Sequence, residues 1–397
     1  MLTSTSSLAP SIPFDTELLD DLMEEAGIDV LLTTSKHNVQ YLLGGHRAFF
    51  FDYKDAIGTS RYLPIVIYFR GELEKTAFFG TGLESHQRDV KAFWTPEQNF
   101  KSSGSVDVTR KAVEYIKKIG NVRRLGVEMA FLPMDSAATL SGGLPDVEIV
   151  DGLFVLERLR ARKSPGELEL LRIASESVIA SMEAVFAKHG AGTTKQEIVD
   201  TLKVEEVSRG LTFEYCLIAA GTSYNRAPSG QRWEEGDVLS LDSGGNLDGY
   251  IGDVSRMAIL GEPDAELVDL LAQIEDVQRA AMKPVRPGAM GGEIYASAEG
   301  CLARSKQRSC IQFLAHGMGL VGHEAPRLTA TGPVPYDAYD ATRPLESGMV
   351  VSIETTLMHP KRGFIKLEDT VAVTDTGFEI YGEGARGWNR GGTARPR

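Results

Sequence analysis

Two histidines stand seven positions apart in "HGMGLVGHE", residues 316–324, and four acids interrupt apolar runs: Asp242 in "LSLDSG", Asp253 in "YIGDVS", Glu354 in "VSIETT" and Glu368 in "IKLEDT". A zinc-peptidase helix reads H-E-x-x-H, with its histidines one turn apart on one face. The 316–324 stretch holds too many glycines for that helix, so its histidines need separate explanations. A carboxylate in an apolar strand is costly to bury unpaired. Four of them, matched across two hairpin patterns, therefore call for positive charge between them. Arg256 and Lys366 lie close enough in sequence to build a charge network. A metal centre is the other solution, because oxygen donors with one imidazole suit divalent ions such as Mn²⁺, Fe²⁺, Co²⁺ or Zn²⁺. Four carboxylates carry too much charge for one ion with an open position, and two bridged ions fit better.

The elements that must position these residues are legible around them. "DVLSLDSGGNLDGYIGDVSRMAIL" alternates as a hairpin turning at "GGNLDG", and "GMVVSIETTLMHPKRGFIKLEDTVAVT" as a second turning at "HPKRG". Ahead of them Ser164, Pro165 and Glu167 mark a helix start with a capping box, and "TTKQEIVDTLKVEEVSRG" reads as another capped helix. Helical spacing returns at roughly 263–283 and 292–307. Helices alternating with hairpins predict an α+β domain over 155–397, its antiparallel sheet covered by helices on one side. Residues 1–154 alternate helical and strand patterns, with a hairpin signal at "RGEL", and predict an α/β domain without a catalytic cluster of its own.

Composition narrows the partners. A formal net charge of −13 across 397 residues argues against nucleic acid or an anionic membrane as the main partner. No apolar run approaches a membrane span, and the N-terminal stretch lacks a signal-peptide pattern. Cys216, Cys301 and Cys310 form no C-x-x-C pair and read as two or three buried thiols in a reducing compartment. A cytoplasmic protein is expected.

In order, Asp242, Asp253, "HGMGL" with "HE", "SIE" and "LEDT" resemble the signature of the creatinase/prolidase/aminopeptidase P family over about residues 155–380. "LLTTSKHNVQYLLGG" is similar to that family's N-terminal segment. The resemblance implies a creatinase-like N-terminal domain followed by a pita-bread domain, and two divalent metal ions per chain, manganese first, with Zn, Co or Fe as alternatives. Asp242 would chelate one ion, Asp253 and Glu368 would bridge the pair, and Glu354 would bind the second beside His316. His323 would face the substrate and stabilise the oxyanion formed when a bridging hydroxide attacks an amide carbonyl, while Glu354 shuttles the proton. The implied activity is Xaa-Pro aminopeptidase- or prolidase-like hydrolysis of a small amide or short peptide by a homodimer, with His46, Arg47 and Tyr53 as contacts across the dimer. His37, His86, His189 and His359 read as structural.

The chain departs from the family pattern at three places. The histidine expected upstream of the first aspartate is missing: none occurs between His189 and His316, and Tyr224, Asn225 and Arg226 stand in that neighbourhood. Lys366 replaces the arginine of "R-I-E-D", and Thr355 follows Glu354 where proline is common. The alternative is therefore a non-peptidase hydrolase or lyase of a small nitrogen- or sulfur-containing metabolite using the same metals, with Arg226 and "HRAFFFDYKD" lining an anionic or zwitterionic pocket.

Overall fold

A computed structural model describes residues 12–47, 58, 61–86, 90–331 and 337–393. The chain divides into two compact units, Met1–Leu159 and Arg160–Arg397. No helix among the described residues is long and apolar enough to cross a membrane.

In the first unit a six-stranded sheet runs in the order β4-β3-β2-β1-β5-β6. Its strands are β1 (Val30–Thr33), β2 (Ile65–Phe69), β3 (Ala77–Phe79), β4 (Glu97–Asn99), β5 (Arg124–Val127) and β6 (Glu148–Asp151). β1 pairs in parallel with β5 and antiparallel with β2, so the sheet is mixed. The "RGEL" hairpin forms between β2 and β3, closed through a short 3₁₀ turn at Leu73–Lys75. Helices Thr16–Glu25 and Ser105–Ile119 bury Leu19, Leu22 and Met23, and Val108, Ala112, Val113 and Ile116 respectively.

The second unit is built on one large sheet. After a small separate pair, β7 (Thr193–Thr194) with β9 (Arg232–Trp233), its main path holds β8 (Thr212–Ala220), β10 (Val238–Leu247), β11 (Tyr250–Ile259), β12 (Ile311–Gly317), β13 (Val350–His359) and β14 (Gly363–Val373) in the order β12-β13-β14-β11-β10-β8, with β15 (Phe378–Tyr381) added on β14 and β16 (Asn389–Arg390) on β11. Every pairing along that path is antiparallel. A register shift at Gly244/Gly245 bends β10 against β8. The first hairpin turns at 248–249 and the second at 360–362, and their inner strands, β11 and β14, pair with each other through Ser255 and Glu368.

Side chains alternate across a strand, so parity assigns each residue to a face. Leu239, Leu241, Val254, Ala258, Val351, Ile353, Ile365, Leu367 and Val371 lie in apolar clusters shared with helices. Helix Pro165–Lys188 covers one half, with the Ser164/Glu167 capping box in place. Helices Ala265–Met282 and Gly292–Leu302 cover the other. Helix Pro165–Lys188 comes so close that a Cβ on Gly252 would lie 2.5 Å from the Ser175 backbone nitrogen. Burial of these side chains stabilises the unit by roughly 1.5–3 kcal/mol for each large one. The opposite face carries Asp242, Asp253, Ser255, Ser352, Glu354, Lys366 and Glu368.

Candidate metal centre

The register places the polar residues in one row. Asp242 stands opposite Ser255, Ser255 opposite Glu368, and Glu368 opposite Glu354. Directly opposed residues share a face, as do residues two apart on one strand. Asp253 and Lys366 therefore join that row, and Ser352, opposite His316, brings the imidazole in from β12. Asp242, Asp253, His316 and Glu368 are all buried.

Two groupings result. Asp253, His316 and Glu368 offer ligand atoms that lie within 4.8 Å of one another. Asp253 Oδ1 and His316 Nε2 are buried without a hydrogen-bond partner, a costly state for polar atoms. His316 Nε2 is 3.6 Å from Glu354 Oε1 and 3.8 Å from Glu368 Oε1. Ser352 Oγ donates to Glu368 Oε1 at 2.7 Å, which orients that carboxylate. Two acids, one imidazole and unpaired donor atoms aimed at a common point fit a divalent cation.

Asp242 and Glu354 belong to the second grouping, which contains an ammonium. Lys366 Nζ donates to Asp242 Oδ2 at 2.6 Å and sits 2.5 Å from Glu354 Oε2 and 2.8 Å from Glu368 Oε2. The Arg226 guanidinium reaches the same Asp242 oxygen and lies over the Phe364 ring, 4.8 Å from its centroid. Arg256, the other candidate counter-charge, falls on the opposite face by parity. There it pairs with Asp369 at 2.7 Å and donates to the carbonyl oxygens of Gly382 and Gly384.

Electrostatics follow the same division. Burial would lower His316, but the carboxylates of Glu354 and Glu368 raise it to about 10, so the acids around the imidazole draw positive charge to that position. Burial pushes Asp242 up to about 6, an effect that Lys366 and Arg226 partly offset. Asp253 is raised well above the usual carboxylate range by burial and then by Glu368 and Asp242. For Lys366 burial pulls downward, yet Asp242, Glu368 and Glu354 outweigh it and hold the ammonium well above its ordinary value.

His323 stacks on His316, ring centroids 3.7 Å apart and planes 14° from parallel. Partial burial, and next the neighbouring His316 charge, draw it down to about 4, so it is neutral at physiological pH. The loop bearing it is tightly anchored. Gly317 and Glu324 form a bridge, and Ile251 N donates to Gly319 O at 2.9 Å. The Glu324 carboxylate lies buried between Arg160 and Lys163, each at 3.0 Å. A Cβ on Gly317 would come within 2.2 Å of the Ala325 carbonyl carbon, so glycine is needed where the chain doubles back.

All four sequence-designated acids and His316 thus meet on one face, with His323 beside them. The sequence reading offered Lys366 as a counter-charge, and its ammonium does lie within the cluster, but that reading missed that it touches three of the four carboxylates. It also missed the Glu324 anchor and Tyr215, whose ring fits over Gly244 opposite Asp253 because a Cβ there would meet it at 2.4 Å. Cys216 is buried, whereas Cys301 and Cys310 are partly exposed, which corrects the expectation of buried thiols. His189 Nε2 meets Thr201 Oγ1 at 2.9 Å, and His359 Nδ1 accepts from Arg362 N, both structural. Tyr53 and most of "HRAFFFDYKD" lie outside the described residues.

The chain matches the model of metallopeptidase family M24 over residues 169–375, more than half its length, and that of the creatinase/prolidase N-terminal domain over 16–162. The chain belongs to metallopeptidase family M24. As a member of that creatinase, prolidase and aminopeptidase P group it is a metal-dependent hydrolase with the two-domain, pita-bread architecture. It is 25% identical over 369 residues to the uncharacterized peptidase YqhT of Bacillus subtilis, covering 91% of this chain and 95% of that protein. It is 26% identical over 287 residues to an Xaa-Pro dipeptidase of Pyrococcus horikoshii, covering 70% and 78%. Among solved structures, an Xaa-Pro dipeptidase from Bacillus anthracis superposes with a TM-score of 0.78 at 22% identity over 94% of this chain and 98% of that one.

Proposed function

We propose that this M24 member hydrolyses a small amide, an Xaa-Pro dipeptide or a close relative. The supporting observation is the convergence of Asp253, His316 and Glu368 with unpaired buried donor atoms, beside a neutral His323. In this reading those three residues hold a divalent ion, manganese being the first to test, and Asp242 and Glu354 complete the acidic set. A bound ion would supply the Lewis acidity that polarises a carbonyl and makes water nucleophilic at neutral pH.

The chain's own groups do the rest. His323 is placed to donate a hydrogen bond to a substrate carbonyl as charge develops on its oxygen, a contribution worth about 10²–10³ in rate at comparable sites. Glu354, at the edge of the cluster and only partly covered, is placed to hold a proton and deliver it to the leaving nitrogen. The Glu324 anchor fixes the loop that carries His323, so the imidazole is preorganised. A homodimer and a cytoplasmic setting belong to the same reading.

Arg226 favours a second reading. With no histidine between His189 and His316, a guanidinium projects to Asp242 in its place, which suits an anionic or zwitterionic metabolite as substrate for a hydrolase or lyase. Protein loaded with Mn²⁺, Co²⁺ or Zn²⁺ should release proline from an Xaa-Pro panel, and both chelation and Asp253→Ala should abolish release. An intact panel with metal bound overturns the peptidase reading and leaves the metabolite reading standing.

A further inference from the structure

We infer that this chain holds one resident divalent ion, on Asp253, His316 and Glu368, and that the Lys366 ammonium, backed by Arg226, stands where a second ion would sit. The inference rests on the metal-dependent reading above and changes its stoichiometry.

Geometry comes first. A second ion would need Asp242 and Glu354, together with a share of the bridging acids. Lys366 Nζ is already within 2.6 Å of Asp242 Oδ2, 2.5 Å of Glu354 Oε2 and 2.8 Å of Glu368 Oε2. One ammonium therefore touches three carboxylates from three strands, the task expected of a bridging cation. Asp253 Oδ1 and His316 Nε2 lack hydrogen-bond partners on the other side, and Glu368 Oε2 has only the Lys366 ammonium 2.8 Å away, whereas Asp242 accepts hydrogen bonds from both Lys366 and Arg226.

Charge agrees. Asp242, Asp253, Glu354 and Glu368 bring four negative charges into a largely buried site. Counted alone they call for two divalent ions. Lys366 and Arg226 return two positive charges within ion-pair distance, and one divalent ion neutralises the remainder. Buried charge is tolerated only when compensated, so a second ion added to Lys366 would leave the pocket with uncompensated positive charge. Lys366 is also poorly placed to withdraw. Its side chain is almost fully buried, and its strand neighbours Ile365 and Leu367 lie in the apolar core, which fixes the strand that carries it.

The test counts ions and reads their coupling. Full-length protein is stripped with chelator and titrated with Mn²⁺ by calorimetry. Bound metal is then measured by elemental analysis and by electron paramagnetic resonance. Wild type is expected to bind one Mn²⁺ per chain with the hyperfine pattern of an isolated ion. Lys366→Met, grown and purified in Mn²⁺ to compensate its exposed acids, is expected to bind two and to show an exchange-coupled pair. Lys366→Gln removes the charge but keeps a donor for Asp242, and serves if the methionine variant does not fold. Two ions in wild type would overturn the inference and leave the metallohydrolase reading intact. One ion in wild type and in a folded Lys366 variant would overturn the part assigned to Lys366. No binding in any of them would overturn the metal reading itself.

Discussion

Glu206 offers a test of the fold beneath the site that is independent of metal. It lies on helix Lys195–Ser208, on the helix-covered side of the sheet, and is fully buried. Its Oε1 is 2.8 Å from Ser243 Oγ, and that hydroxyl is also 2.7 Å from the Tyr215 carbonyl oxygen. Glu206 Oε2 has no partner. One hydroxyl proton cannot serve both acceptors, so a protonated Glu206 donating to Ser243 satisfies the group better than a carboxylate does. Burial, only partly opposed by Ser243, pushes Glu206 from 4.5 up to about 8. Between those values the native state holds a proton that the unfolded chain has lost, so stability falls as pH rises. Three and a half units at about 1.4 kcal/mol each give a cost of roughly 5 kcal/mol above pH 8, as an upper bound. Glu206→Gln keeps the shape and a donor but does not titrate. Thermal melts of both proteins at about pH 5 and about pH 9 should show the variant's advantage widening with pH, to the order of 10 °C. An advantage that does not change with pH, or a glutamine variant less stable at the alkaline end, would refute the reasoning.

Other consequences can be checked alongside. Glu324→Gln removes the buried counter-charge shared by Arg160 and Lys163 and should cost about 3–5 kcal/mol by denaturant titration at neutral pH. Burial would raise Glu324, but Arg160 and Lys163 lower it; its contribution is thus present above the ordinary glutamate value and lost as pH falls through the native one, so the variant's deficit should shrink in acid. His323→Ala should leave metal uptake unchanged while lowering kcat by about 10²–10³, whereas a parallel loss of metal would make His323 a ligand. Gly363 has φ of +84° and a Cβ there would lie 1.9 Å from the Gly221 carbonyl oxygen, so Gly363→Ala should lower the melting temperature and the soluble yield together.

Much of this was legible because period-two alternation and capping boxes are local signals. Both hairpins, the helix starts at Ser164 and Thr194, and all five acid and imidazole positions could be read from their own neighbourhoods. Pairing between β11 and β14 could not. It joins residues more than a hundred positions apart, and only that pairing decides which acids meet. Arg256 looked like a counter-charge until the register put it on the far face with Asp369. Lys366 was noted as a departure, but its position among the carboxylates depends on β10, β13 and β14 together. Arg160 and Lys163 find Glu324 across some 160 positions, beyond the reach of any local pattern.

Alternation on β14 also limits how the gene can vary. Glu368 and Asp369 are both acids, yet one serves the cluster while the other serves Arg256 and Arg386. Adding or deleting a single codon in the 360–362 turn would exchange them. Leu367 would then face three carboxylates, and Lys366 would be driven among Ile353 and Val371. Insertions should therefore be tolerated in the exposed stretch around 227–230, which leaves Arg226 in place, long before that short turn accepts any, and a library of length variants would map the division directly.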